Sequence, residues 1–322
     1  IERKKKPPVK AALEGYTDDE VFAEIQARRT GGAAVPGKSV KQAELETLMA
    51  SKEEIGHDQP GGYFYARALS KSCWDKPWMS AVDRVVLVHR LREVVAQVGF
   101  TRFEAAAPDV EGELEIGVRR AALARETSWL PAVENRGEGV FLGFRKEAVE
   151  EWLRQPAVLE RGKKLVTGFD SWKADHRGSN RKFSGLPYIL LHSLSHLLIT
   201  AVALECGYPA SSIRERIYAG TAGFGILLYT GSPDAEGTLG GLIEAGRRIA
   251  MHMGRALELG QLCSNDPVCA QHDPVNPHMR RFLQGAACHG CLLIAETSCE
   301  QYNDFLDRAL VVPTVDDAGA AF

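Results

Sequence analysis

Seven cysteines carry the strongest chemical signal in the chain: Cys73, Cys206, Cys263, Cys269, Cys288, Cys291 and Cys299. Five of them fall within the 37 residues 263–299. Cys288-His-Gly-Cys291 is a C-x-x-C knuckle, a turn that lets two thiolates converge on one tetrahedral ion while the intervening amides point at the sulfurs. Zinc takes four ligands. The expected set is Cys269, Cys288, Cys291 and Cys299, with Cys263 as the substitute and His272 and His289 as weaker alternates. A closed set of cysteines makes structural zinc, because no position is left for water. An odd count and tight clustering argue against a disulfide framework, and Cys73 and Cys206 stand alone.

Four further patterns could do chemistry. Gly32-Ala-Ala-Val-Pro-Gly-Lys-Ser39 spells a P-loop, but the motif works only between a buried strand and a helix. The preceding Glu24–Arg29 is charged and helix-like, so the expected reading is a connection between two helices. His192 and His196 share one helix face at i and i+4, yet the glutamate of H-E-x-x-H is replaced by Ser193, which favours two satisfied core histidines. Ile226–Gly241 reads as strand, loop and helix, a place for an anion at a helix start, but Asp234 and Glu236 in the loop repel phosphate. Finally, the stretch 161–182 holds Arg161, Lys163, Lys164, Lys173, Arg177, Arg181 and Lys182, with Phe169, Trp172 and Phe183 beside them. Cations on phosphates and aromatics on bases would make a DNA-binding segment, and a solvated linker is the competing reading.

These residues need elements to hold them. Spacing predicts helices over Asp18–Arg29 and Val40–Glu54, and an amphipathic helix over Val82–Val98 stopped by Gly99. Trp129–Glu134 and Val140–Phe144 flank a Gly-rich turn at Asn135–Gly139 and read as a hairpin. Lys146–Arg154 is a short helix, and 160–182 a linker or loop. Leu186–Cys206 is a helix closed by Gly207. From Phe183 to Leu204 no Asp, Glu, Lys or Arg occurs, long enough to cross a bilayer, but the polar centre His192-Ser-Leu-Ser-His196 favours a buried core helix. Ser212-Ile-Arg-Glu215 reads as a capping box, Gly225–Thr230 as a strand, Thr238–Leu259 as a helix, and Glu300–Leu310 as helical. The expected fold is mixed α/β (α+β), helix-rich with a small sheet and a C-terminal cysteine zinc-binding subdomain at about 260–312. Domains are expected at 1–80, helical and flexible, and at 81–322.

The composition is that of a globular chain, 45% hydrophobic and 25% charged over 322 residues. A net charge of −3 excludes a basic coat for nucleic acid, though not a local patch. No secretory pattern follows Ile1, the expected setting is cytoplasmic with no membrane, and the start reads as a piece of a longer chain.

Several segments resemble a known family: Val85-Val-Leu-Val-His-Arg-Leu-Arg-Glu93, Gly99-Phe-Thr-Arg102, Glu134-Asn-Arg-Gly-Glu-Gly139, Leu191-His-Ser-Leu-Ser-His196 and Leu228-Tyr-Thr-Gly-Ser-Pro-Asp234. Ala286-Ala-Cys-His-Gly-Cys291 and Glu296-Thr-Ser-Cys-Glu-Gln-Tyr-Asn-Asp-Phe-Leu-Asp-Arg308 are the most specific. Together, over about residues 82–312, they look like the DrmB subunits of DISARM phage-defence systems. A related cysteine-containing domain is fused to MrfA-type DNA-repair helicases. The resemblance implies a zinc-binding accessory domain beside a superfamily 2 helicase, which in DISARM is the separate DrmA subunit, with the ATP-driven motor in that partner. Cys288 and Cys291 fit the family's C-x-x-C and Cys299 its T-S-C-E, while Cys263 and Cys269 both look family-like. It supplies no catalytic residue.

The expected function is a non-catalytic, zinc-stapled accessory subunit that partners a DrmA-like helicase and helps bind phage DNA in antiviral defence. Its DNA-facing residues are Lys163, Lys164, Lys173, Arg177, Arg181 and Lys182. The rivals are a metal-dependent nuclease or other DNA-processing enzyme using Asp234, Glu236, His192 and His196 around one open pocket, and a pure assembly scaffold without DNA contact.

Overall fold

The computed structural model describes residues 16–29, 38–59, 61–101, 121–125, 128–177, 179, 181–230, 240–276, 281–316 and 319–322. The chain divides into two units, Ile1–Ser39 and Val40–Phe322. In the first, helix α1 (Asp18–Arg29) opens with a reciprocal cap. The Thr17 amide donates to the Glu20 carboxylate at 2.7 Å, and the Glu20 amide donates back to Thr17 Oγ1 at 3.3 Å. Of the P-loop lookalike, residues 32–37 lie outside the described residues, and a helix, not a strand, precedes it.

The second unit is a mixed α/β fold. In chain order it contains α2 (Val40–Met49), β1 (Glu54–Gly56), β2 (Phe64–Ala68), β3 (Val82–Ala96), β4 (Ala132–Phe144), α3 (Lys146–Trp152), α4 (Pro156–Asp175), α5 (Leu186–Cys206), β5 (Ile213–Gly220), β6 (Gly223–Thr230), α6 (Gly241–Arg247) and α7 (Ile249–Gln261). Among the described residues, six strands form one sheet in the order β1-β2-β3-β4-β6-β5, every neighbour antiparallel. β1 pairs with β2 and β2 with β3, so strands on both sides of residue 80 belong to one sheet, while the two units meet at 39/40.

Residues 82–96 form a strand, which corrects the expected amphipathic helix. Val85 and Leu87 face the main core, while Val86 and Val88 face a second cluster with Leu45 and Leu48 of α2. A strand covered on both faces shows an unbroken apolar run, and such a run carries no period-2 signature. The hairpin expected around Asn135–Gly139 is also corrected: β4 runs straight through it. Its glycines serve close approach to β6. A Cβ at Gly137 would lie 2.3 Å from Thr230 Oγ1, and one at Gly139 would lie 2.7 Å from the Leu228 carbonyl oxygen.

The segment expected as a linker, 160–182, is largely helix α4. The capping box expected at 212–215 is the start of β5, and the expected helix over 300–310 is a series of turns ending in a single 3-10 turn at Arg308–Leu310. The helix expected over 238–259 is broken at Arg248 into α6 and α7.

Helix α5 lies at the centre of the main core. It is long and apolar enough to cross a bilayer, but 72% of its most apolar stretch is buried within the fold. Gly207, at φ +77°, closes it in the left-handed conformation that favours glycine. Around α5 gather Leu142 and Val140 of β4, Ile213 and Ile217 of β5, Ile226 and Leu228 of β6, and Leu283, Leu292, Phe305 and Leu310 from the C-terminal segment. The cysteine-bearing segment therefore shares the core of the sheet.

Candidate metal centre

Helix α7 ends two residues before Cys263, Cys269 follows in a run of turns, and Cys288–Cys291 forms the knuckle. The four thiols of Cys263, Cys269, Cys288 and Cys291 come together with all Sγ atoms within 4.8 Å of one another. Cys263 Sγ is 3.5 Å from Cys288 Sγ, and Cys269 and Cys288 each lie 3.7 Å from Cys291 Sγ. Four sulfurs about 2.3 Å from a central zinc stand about 3.75 Å apart in a tetrahedron. The set therefore fits zinc in size as well as donor type. The four thiols would hold the ion, which would supply a fold-stabilising cross-link with no open coordination position.

The surroundings are built for thiolates. The Gly290 amide donates to Cys288 Sγ at 3.3 Å, and Asn265 Nδ2 donates to it at 3.2 Å. The neighbouring Cys291 thiol, against the cost of burial, and the Arg308 guanidinium hold the Cys269 thiol down to about 6. Arg308 is itself buried, donating to the Gly260 carbonyl at 3.0 Å and paired with Asp266.

Cys299, expected as a fourth ligand, is elsewhere, and Cys263 takes its place. The Cys299 sulfur lies 3.1 Å from His192 Nε2 and accepts the Asn303 amide at 3.1 Å. The T-S-C-E turn sits against α5, whose His192 and His196 are fully buried, whereas Cys263 emerges from α7 directly beside the knuckle. His272 bonds the Arg281 carbonyl through Nε2 at 3.1 Å, and His289 does not belong to the thiol cluster.

The two histidines are satisfied, but by more than a core. His192 Nε2 and His196 Nε2 lie 2.9 and 3.3 Å from Glu215 Oε1. Burial works against the charge of Glu215, yet the two imidazoles hold its carboxyl well below the ordinary range. Glu215 was missed by sequence reasoning. The signal was available: it stands between Ile213 and Ile217 on the buried face of β5, a carboxylate in an apolar alternation. This group has no opening to solvent, so the open pocket an enzyme would need is not formed by His192 and His196. Asp234 and Glu236 lie outside the described residues.

The basic stretch is only partly available to DNA. Lys163, Lys164, Arg177 and Lys182 are exposed. Lys173 instead donates to the Arg181 and Ser179 carbonyls, the former at 2.9 Å, and Arg181 is bound to Asp304 at 2.6 Å and to Gln301 at 2.7 Å. Arg161 is buried against Asp307. The aromatics are not a platform for bases: Phe169, Phe183 and Phe305 pack on one another with ring centroids 5.8–6.2 Å apart, and Trp172 stacks on Phe169 and His176.

Comparison with known proteins agrees with this site. Residues 194–292 match the MrfA Zn-binding domain family, a span that contains Cys263, Cys269, Cys288 and Cys291 and excludes Cys299. The DISARM protein DrmB of Bacillus paralicheniformis is 40% identical over 243 residues, covering 74% of this chain and 42% of that protein. Among solved structures, the helicase MrfA bound to DNA is similar at 12% identity over 72% of this chain and 28% of that one, with a TM-score of 0.25, too low to carry an argument. The chain thus spans about two fifths of its DISARM relative, and its residues 194–292 separately match a zinc-binding domain of the MrfA type.

Proposed function

We propose that the chain is a non-catalytic accessory module of a DISARM-type antiviral assembly, working in the cytoplasm. Zinc on Cys263, Cys269, Cys288 and Cys291 fixes its fold, a DrmA-like superfamily 2 helicase is its partner, and DNA is held between them. The observation that carries the reading is the four-thiol cluster lying wholly inside the matched zinc-binding domain of a chain 40% identical to DrmB. Lys163, Lys164, Arg177 and Lys182 supply what direct DNA contact this chain makes.

A second reading, a scaffold that leaves all DNA contact to its partner, is favoured by one observation. Lys173 and Arg181 spend their charge on groups of this same chain. One experiment separates the two: binding of labelled single-stranded and overhang duplex DNA by the purified chain, alone and with the helicase subunit, at two salt concentrations. Salt-sensitive binding by the chain alone supports direct contact. Binding only by the pair supports the scaffold, and failure to co-purify with the helicase would remove the accessory role altogether.

A further inference from the structure

We propose that His192, His196, Glu215 and Cys299 form a second metal centre, distinct from the four cysteines, that holds one zinc ion entirely on protein ligands. The four donor atoms lie within 4.8 Å of one another, and all four side chains are buried. The separations of His192 Nε2 from Glu215 Oε1 and Cys299 Sγ are 2.9 and 3.1 Å, and that of His196 Nε2 from Glu215 Oε1 is 3.3 Å. A tetrahedral ion with bonds of about 2.0–2.1 Å to N and O and about 2.3 Å to S sets its ligands about 3.3–3.6 Å apart. These three separations lie within a few tenths of an ångström of that figure, and the other donor pairs are no more than 4.8 Å apart.

Hydrogen bonding around the quartet points the same way. His192 Nδ1 faces the Phe305 carbonyl at 3.1 Å and His196 Nδ1 faces the Leu292 carbonyl at 2.8 Å. A carbonyl only accepts, so each Nδ1 carries a proton, and each ring turns Nε2 inward as the atom left to bind a metal. There the two Nε2 atoms meet a carboxylate oxygen and a sulfur, both electron-pair donors, so that all four are ligand atoms once the Nε2 positions are free of protons. The anionic ligands are already supported from outside. Ser195 donates its hydroxyl to Glu215, the Glu300 amide donates to Glu215 Oε1 at 3.2 Å, and the Gln301 and Asn303 amides donate to Cys299 Sγ at 3.4 and 3.1 Å. A dication balanced by one carboxylate and one thiolate is neutral, which suits a site closed to water. The ion would tie α5 to β5 and to the turn at Cys299. Leu292, whose carbonyl orients His196, directly follows Cys291, so the two centres are linked through one residue.

The test is metal content and zinc X-ray absorption on the full chain, reconstituted with Zn²⁺ under reducing conditions and desalted. Two ions per chain are expected, with five sulfur and three nitrogen or oxygen ligands shared between them. A His192→Ala/Cys299→Ala variant should hold one ion with sulfur ligands only, and the wild-type spectrum decides the matter even where that variant does not fold. One ion in a sulfur-only shell in the wild type overturns the proposal and leaves the quartet as two imidazoliums facing a carboxylate and a thiolate. One ion in a shell with a single sulfur retains it while removing the four-cysteine site, and no ion at all overturns both.

Discussion

Arg161 Nε and Nη2 reach across 146 positions of sequence to Asp307, at 2.7 and 3.0 Å, with both side chains buried. Asp307 also accepts the Ala286 and Ala309 amides, so this pair pins the segment just before the knuckle. Removing one partner of a buried pair leaves an uncompensated charge, at a cost of about 3–5 kcal/mol. Arg161→Met should lower the urea midpoint accordingly, and an unchanged midpoint would show that water reaches Asp307. The knuckle behaves differently, because its energy resides in the ion. Apparent zinc-binding free energies of about 10–16 kcal/mol are typical of structural zinc in zinc-finger peptides. Cys288→Ser should therefore cost the chain the zinc of the four-cysteine cluster and open residues 263–312 to trypsin. Retention of that zinc with an unaltered digestion pattern would contradict the ligand set. Spacing made Cys288 and Cys291 legible because three residues leave the pair little choice of geometry. It could not choose between Cys263 and Cys299, since that depends on where α7 and the turn after Cys291 deliver their ends.

The same limit governs whole strands. Helix α1 was readable from its spacing, α2 from its helix-favouring residues, α3 as a short helix, and α5 from a long run without charge closed by Gly207. Strands β3 and β4 were not, because two layers cover them and glycine in β4 imitates a turn. Gly139 tests that explanation. Its missing side chain lets Leu228 of β6 approach in register, with Gly139 opposite Tyr229. A turn residue with a free backbone would tolerate alanine. A strand residue 2.7 Å from a backbone oxygen has no room for one. Overpacking of this kind costs about 1–3 kcal/mol. Gly139→Ala should lower the unfolding free energy from denaturant titration by an amount in that range without loss of zinc, and a neutral result would return residues 135–139 to a loop.

With a net charge of −3, the whole molecule has no general attraction for DNA, so any contact must come from a local set of cations. The fold sorts the basic stretch into two classes that composition could not separate. Lys163 and Lys164 point to solvent from α4, while Arg181 is held by Asp304 and Gln301 and lies 4.8 Å from the ring centre of Phe305. Charge reversal should therefore have opposite signatures at the two places. Lys163→Glu/Lys164→Glu should leave thermal stability unchanged. If these lysines meet phosphates, it should also reduce the salt slope of single-strand binding by about 0.7 for each phosphate no longer neutralised. Arg181→Glu should instead lower the melting temperature, because it sets a carboxylate against Asp304 and withdraws the guanidinium from Phe305. Measuring both variants by thermal unfolding and by DNA titration at several salt concentrations separates surface from structure. A stable Lys163/Lys164 variant with the wild-type slope would assign DNA contact to the helicase partner. A loss of binding confined to Arg181→Glu would mean only that the fold had failed.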